Sequence, residues 1–259
     1  MAFAKLNGIE LYYEVHGEGP ALVLAHGAGG SHLSWWQQVP ALAKSFRCVT
    51  FDHRGFGLSR ERPGGAGARQ FVEDLRGLLD HLDIQSAALV GQSMGGWTVL
   101  GFAAAYPERT RALVLCDTPA GIDDAAVSAE FRRLRESTPR GLDDILQRAF
   151  GAELARSDPA RAFLYREISA LNFEVPAELI GALSGMRNNP DVIVERQIPT
   201  MLIVGEEDVL TPPALMELMH RRFPHARFIR VPGAGHSVYF ERPDEFNRTL
   251  DNFLLEVPG

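Results

Sequence analysis

Serine becomes a nucleophile only when a base takes its proton, and one serine in this sequence sits in a setting suited to that. In Gly91-Gln92-Ser93-Met94-Gly95 it lies between an apolar run and an Ala- and Gly-rich stretch of helical character, so it would ride a tight strand-to-helix turn. Such a turn strains the backbone at the nucleophile and needs small residues two positions to either side, which Gly91 and Gly95 supply. The hydroxyl also falls beside a helix N-terminus, where free N–H groups and the dipole favour negative charge. The base is expected to be His236, in Pro232-Gly233-Ala234-Gly235-His236-Ser237, a glycine-rich loop beyond the last apolar run. The carboxylate that orients it is expected from Gly205-Glu206-Glu207-Asp208, with Asp208 best placed after the turn. Asp117, at the end of another apolar run, is the alternative acid. The implied chemistry is acyl transfer: Ser93 attacks a carbonyl, an acyl-enzyme forms, and water activated by His236 releases the acid. The imidazole must be neutral to act, so activity is expected to rise through roughly pH 6–7.

These side chains need a scaffold that brings distant loops to one edge. Residues 3–6 and 11–16 flank Asn7-Gly8 and read as a hairpin. Apolar or β-branched runs at Ala21–Ala25, Arg47–Phe51, 87–90, 112–115, 201–204 and 228–231 read as strands buried on both faces. Helical spacing over 31–44, 71–82, 94–106, 215–223 and 244–255 alternates with them. Strand–helix–strand units with short loops imply an α/β fold, a mostly parallel twisted sheet with helices on both faces. From 121 to 196 the strand runs vanish, and helix starts such as Asp158-Pro159 and Val175-Pro176 take over. Phe131, Leu134, Leu142, Ile145, Leu146, Phe150, Phe163, Leu164, Ile168 and Leu171 supply the apolar faces of this segment. The expected organisation is a core of 1–120 and 197–259 with a helical lid of 121–196 inserted over the carboxyl edge of the sheet.

With this order of Ser93, Asp208 and His236, the sequence resembles the α/β-hydrolase family along essentially the whole chain. The resemblance rests on His26-Gly27-Ala28-Gly29-Gly30, Asp52-His53-Arg54-Gly55-Phe56-Gly57-Leu58-Ser59, Gly91-Gln92-Ser93-Met94-Gly95-Gly96, Gly205-Glu206-Glu207-Asp208 and Gly233-Ala234-Gly235-His236. It implies a serine hydrolase of carboxylic esters, lactones or thioesters, with the backbone N–H groups of Ala28 and Met94 as oxyanion hole. His26 reads as structural, and Asp52 and Arg54 as a turn that packs its loop. Serine at the nucleophile position excludes the epoxide-opening and halide-displacing relatives, which carry aspartate there. Enol-lactone hydrolases are similar to this chain in length and lid placement. Carbon–carbon bond hydrolases of vinylogous diketones often carry Asn before the serine and Trp after the histidine, where this chain has Gln92 and Ser237. A slow-turnover ligand receptor on the same fold is the other alternative.

The substrate is expected between lid and sheet edge, against Trp35, Trp97, Phe131, Phe150, Met186 and Val238, with Trp36, Phe163 and Tyr239 as further aromatic candidates. A small to medium, mainly apolar molecule would suit that lining. Over 121–196 there are 10 Arg and 13 acidic residues, a balance that gives no funnel for highly anionic substrates. The whole chain, 259 residues with 26 basic and 33 acidic side chains, is too acidic for sequence-independent binding to nucleic acid or anionic membrane. Its length fits one large domain or two small ones. Cys48 and Cys116 sit in apolar runs, so no disulfide framework is expected. No histidine pair has metal-ligand spacing and no Gly-x-Gly-x-x-Gly or Walker loop occurs, so neither metal nor nucleotide cofactor is expected. Without a leader or a long apolar run the chain reads as cytoplasmic, acting on a small molecule, with self-association left open.

Overall fold

The computed structural model describes residues 2–62, 64–137, 148–151, 153–172, 175, 177–183 and 185–257. Eight strands form one sheet in the order β1-β2-β4-β3-β5-β6-β7-β8. β1 (Ala2–Leu6) and β2 (Ile9–His16) make the expected hairpin. Asn7 and Gly8 carry φ of 44° and 80°, the left-handed pair that a two-residue turn needs to match strand twist. β2 pairs antiparallel with β4 (Arg47–Phe51), and every later pairing is parallel: β3 (Ala21–Ala25), β5 (Ala87–Gln92), β6 (Thr110–Cys116), β7 (Thr200–Gly205) and β8 (Arg227–Val231).

Alternation along each parallel strand divides the interior in two. Val23, Leu89, Leu113 and Leu202 face one apolar cluster, which α2 (Phe71–His81) covers with Leu75, Leu78 and Leu79. Leu22, Ala88, Val114 and Ile203 face the other, covered by Phe246, Leu250 and Phe253 of the terminal helix Pro243–Leu255. α3 (Met94–Ala105) is buried from Met94 to Ala103, as a helix wedged between sheet and neighbours must be. Edge strand β8 is more exposed and carries Arg227 and Arg230, charges that discourage edge pairing.

Helical spacing over 31–44 yields two short pieces instead of one helix: a 3-10 turn at His32–Trp35 and α1 (Val39–Leu42). Pro40 sits in the first turn of α1, where it has no N–H to bond back to the preceding turn, so the second piece starts anew at Val39. Between β6 and β7 lie α4 (Ala125–Ser137) and the helices Leu154–Ser157, Pro159–Ala170, Ala177–Leu183 and Asp191–Glu195, and Ile122, before α4, forms a parallel bridge with Asn188, before the last of them. Asp158 caps the helix that Pro159 opens by accepting the Arg161 N–H at 2.9 Å, a bond worth about 1 kcal/mol. Pro176, Leu142, Ile145 and Leu146 lie outside the described residues. No described helix is long and apolar enough to cross a membrane.

Candidate active site

The carboxyl ends of β3, β5, β6, β7 and β8 release their loops at one edge of the sheet, where an open α/β sheet leaves room for a ligand. Ser93, between β5 and α3, has φ of 48° and ψ of −117°, a strained backbone for a residue with a side chain. Its neighbours hold it there. The Ser93 N–H donates to the Cys116 carbonyl at 3.0 Å, and the Thr118 hydroxyl donates to the Ser93 carbonyl at 2.6 Å. A Cβ on Gly95 would lie 2.1 Å from the Ala25 carbonyl oxygen, so only glycine lets α3 start this close to β3.

His236 arrives on the loop after β8, with Nε2 2.9 Å from the Ser93 Oγ and Nδ1 2.8 Å from Asp208 Oδ2. Asp208 is fixed by the Leu210 and Thr211 N–H groups at 2.8 and 2.9 Å and by the Thr211 hydroxyl at 2.5 Å. Oδ1 takes the two N–H groups and Oδ2 takes the hydroxyl and Nδ1, so the carboxylate favours the tautomer that leaves Nε2 free to accept from the serine. Burial alone lowers the basicity of His236, but the charge and hydrogen bond of Asp208, with Asp117 and Glu241 farther off, outweigh it and hold the imidazole above its ordinary value. Burial likewise opposes ionisation of Asp208, and His236 together with the Thr211 bonds brings its carboxyl below the usual range.

Asp117 lies at the end of β6 with φ of 48°. Its Oδ1 accepts the Gly205 N–H at 3.0 Å and its Oδ2 faces the Val238 N–H at 3.4 Å. It braces the loops that carry Asp208 and His236 while making no hydrogen bond to the imidazole. Burial, then repulsion from Asp208, pushes its carboxyl up to about 7. Two carboxyls this near cannot both ionise freely, and the one against the imidazole keeps the charge.

After β3, the Gly30 N–H closes on the Gly27 carbonyl at 3.0 Å, with Gly29 at φ 82°. This turn leaves the Ala28 N–H outside its own hydrogen bond. The loop abuts the serine: a Cβ on Gly27 would lie 3.1 Å from the Ser93 Cβ. Met94 opens α3, so its N–H has no carbonyl a turn earlier in the helix. His26 holds the loop from behind, donating from Nδ1 to the Gly27 carbonyl at 2.8 Å and accepting the His53 N–H on Nε2 at 2.9 Å. Burial keeps that ring neutral, down at about 4. Arg54 spans Asp74 and Glu61 at 2.6 Å each, and Asp52 accepts the His32 and Leu58 N–H groups, so this loop is a braced turn.

The chain matches the family defined by the alpha/beta hydrolase fold over residues 20–243. It is an α/β hydrolase. Its structure is similar to that of the enol-lactonase from Burkholderia xenovorans LB400, at 28% identity and TM-score 0.80, covering 98% of this chain and 100% of that one. A thermophilic esterase from Thermogutta terrifontis is 30% identical at TM-score 0.79, covering 98% and 97%. A bromoperoxidase from Bacillus anthracis is 28% identical at TM-score 0.80, covering 98% and 99%. Both the fold and membership of an enzyme family are thereby shown.

Around the hydrolase's serine the expected lining residues divide. Trp97, on α3 one turn past Ser93, packs with Met94, Phe131, Leu183 and Met186 and with Phe131 walls a cavity of about 390 Å³. Neither Ser93 nor His236 lines this cavity. Its rim carries Arg132, Arg135, Arg187 and Glu136, so it is less apolar than the sequence suggested; a charge sum over the whole segment hides a local cluster. Trp35 and Val238 are fully buried in the cluster on the other face of the sheet, Trp35 packed on Tyr239 at 4.7 Å between ring centroids. Phe150 joins Tyr165 and Phe240 there. These three pack the core and do not border that cavity. Phe163, 64% exposed, and Trp36, 42% exposed, point outward; helical spacing identifies a face without saying what it meets.

Three polar residues take roles that the sequence reading did not assign them. The Gln92 amide donates to the His236 carbonyl at 2.7 Å. Asn172, from the segment between β6 and β7, donates to the Gly29 and Gly30 carbonyls at 2.9 and 3.1 Å and accepts the Gly57 N–H at 2.8 Å. Thr211 had a signal, because an Asp followed three residues later by Thr is a common side-chain-capped turn. Nothing local marks Asn172. Among the described residues no group of three His, Cys, Asp or Glu side chains is placed to hold a metal ion.

Proposed function

We propose that this α/β hydrolase cleaves a carboxylic ester, lactone or thioester through an acyl-enzyme on Ser93. The observation that carries the reading is the unbroken relay from the Ser93 Oγ through both ring nitrogens of His236 to Asp208, at 2.9 and 2.8 Å. His236 takes the serine proton as Ser93 attacks the carbonyl, and Asp208 balances the imidazolium. The Ala28 and Met94 N–H groups receive the oxyanion, each worth on the order of 3 kcal/mol in the transition state. His236 passes its proton to the leaving group and then activates water against the acyl-enzyme. The likeness to an esterase and an enol-lactonase supports this bond class.

Residues 121–196 act in this reading as a lid on the core formed by 1–120 and 197–259. The apolar side chains packed at the start of α3 beside Ser93, Met94 and Trp97 with Phe131, Leu183 and Met186, support a small to medium substrate with an apolar body. Fluorophosphonate labelling with mass mapping, run beside aryl esters, lactones and a vinylogous diketone, tests both parts. Labelling at Ser93 with turnover of esters or lactones is expected. Label elsewhere refutes the nucleophile, and turnover of the diketone alone moves the reading to carbon–carbon cleavage.

A further inference from the structure

Glu241 ends the short helix that follows His236, and the reaction just described gives it no part. It is buried, with 3% of the residue exposed. Oε1 accepts the Gly235 N–H at 2.7 Å and Oε2 accepts the Gly151 N–H at 2.8 Å. The donors come from different places. Gly235 immediately precedes His236, whereas Gly151 belongs to the segment between β6 and β7.

The two backbones meet without a side chain between them. A Cβ on Gly235 would lie 2.4 Å from the Gly151 nitrogen and 2.4 Å from the Phe150 carbonyl carbon, so this approach requires glycine. Two N–H groups facing one another need a common acceptor once water is excluded, and a carboxylate offers an oxygen to each. The same region is tied again by Arg161, which donates to the Glu241 carbonyl at 3.2 Å, and by Tyr165, whose hydroxyl is 3.4 Å from the Ser237 Oγ.

We propose that Glu241 is a positioning residue whose carboxylate joins the backbone before His236 to the Phe150–Gly151 segment of the lid, so that seating this segment and aligning the imidazole depend on one group. This rests on the reading of His236 as the base. Burial raises the Glu241 carboxyl and the two N–H bonds oppose it, leaving it at about 7. The charged and ionisable groups around it are Asp117 at the end of β6, His236 on its own loop, Arg161 and Tyr165 from the helix Pro159–Ala170, and Glu207, whose carboxylate approaches Gly151. A proton on either oxygen occupies one acceptor and weakens one side of the link.

The first test leaves the protein unaltered. Amide NMR of the intact chain between pH 5 and 9 should show Gly151 and Gly235 protected from exchange and following one common titration. Separate titrations, or exchange of either amide at the solvent rate, overturn the link. The second test is Glu241→Gln, which keeps the shape but turns an NH2 against one of the two N–H groups. We expect kcat to fall about tenfold to a hundredfold, and the acid limb of kcat/KM to move to lower pH as a negative charge near His236 is lost. Glu241→Asp, too short to reach both donors, should restore the acid limb but not kcat. A Glu241→Gln protein that loses thermal stability alone, with kcat and acid limb unchanged in the folded fraction, makes Glu241 a packing residue and refutes the proposal. If Glu241→Gln does not fold, the amide titration decides. Failure of Ser93 to label in the unaltered protein sinks the reading of His236, while the amide titration still reports the link itself.

Discussion

The loops at the carboxyl ends of the strands and the segment between β6 and β7 solve different problems with different residues. In the strand-end loops a side chain inherits its position from a hydrogen-bonded ladder, so Ser93, Asp208 and His236 meet at 2.9 and 2.8 Å although they lie far apart in sequence. The segment between β6 and β7 rests on apolar packing that fixes a face more than a point, and its polar ties to the edge include Asn172 on the Gly29–Gly30 turn and Gly151 on Glu241. Precision in this molecule is a property of strand ends. The segment between β6 and β7 adds to it where a backbone group or an amide side chain reaches across, as at Gly151 and Asn172.

If that contrast is right, the largest losses follow substitutions at the strand ends. Ser93→Ala should lower kcat by about a millionfold with the fold intact by circular dichroism, and a loss of less than a hundredfold would break the comparison at its centre. Asp208→Asn should cost about ten-thousandfold in kcat, whereas Asp117→Asn, which leaves the Asp208–His236 contact in place, should stay within about tenfold. The reverse order of the two asparagine variants would transfer the orienting role to β6.

Asn172→Ala tests the other side of the comparison. Freed of its two carbonyl contacts, the turn bearing Ala28 should loosen, lowering kcat about tenfold with KM nearly unchanged, a fraction of the loss from deleting an oxyanion donor outright. A change in KM alone would make Asn172 a contact for substrate. The smallest effect is the displacement of the pH profile. His236 is held above its ordinary value of 6.5, and the base works only when neutral, so activity should rise with pH through a midpoint higher than 6.5. An acid limb at or below 6.5, with chemistry shown to be rate-limiting, contradicts the network drawn around the imidazole.

Much of the edge was readable because its signals are local. Gly91 and Gly95 around Ser93 announce a turn that excludes side chains, and the glycines before His236 mark a loop beyond the last apolar run. The chain order of the apolar runs was equally plain, since a strand buried on both faces has no polar positions to blur it. Other features were lost for want of a local signal. Trp35, in a 3-10 turn, and Val238, in the short helix after His236, stand close to these loops in sequence and are buried in an apolar cluster. Phe163 carries helical spacing and stands in solvent.

The sequence by itself determined the fold family, the loop that carries each group and the type of chemistry available, because each strand run, each glycine turn and each candidate nucleophile, acid or base is marked by residues within a few positions of it. Only the tertiary structure decided that Asp208 rather than Asp117 touches the imidazole, that Asn172 and Glu241 reach the edge, and that arginines gather at one cavity rim. Those are contacts between residues tens of positions apart. Their energies depend on burial and on which neighbour excludes water, and no stretch of sequence carries that information.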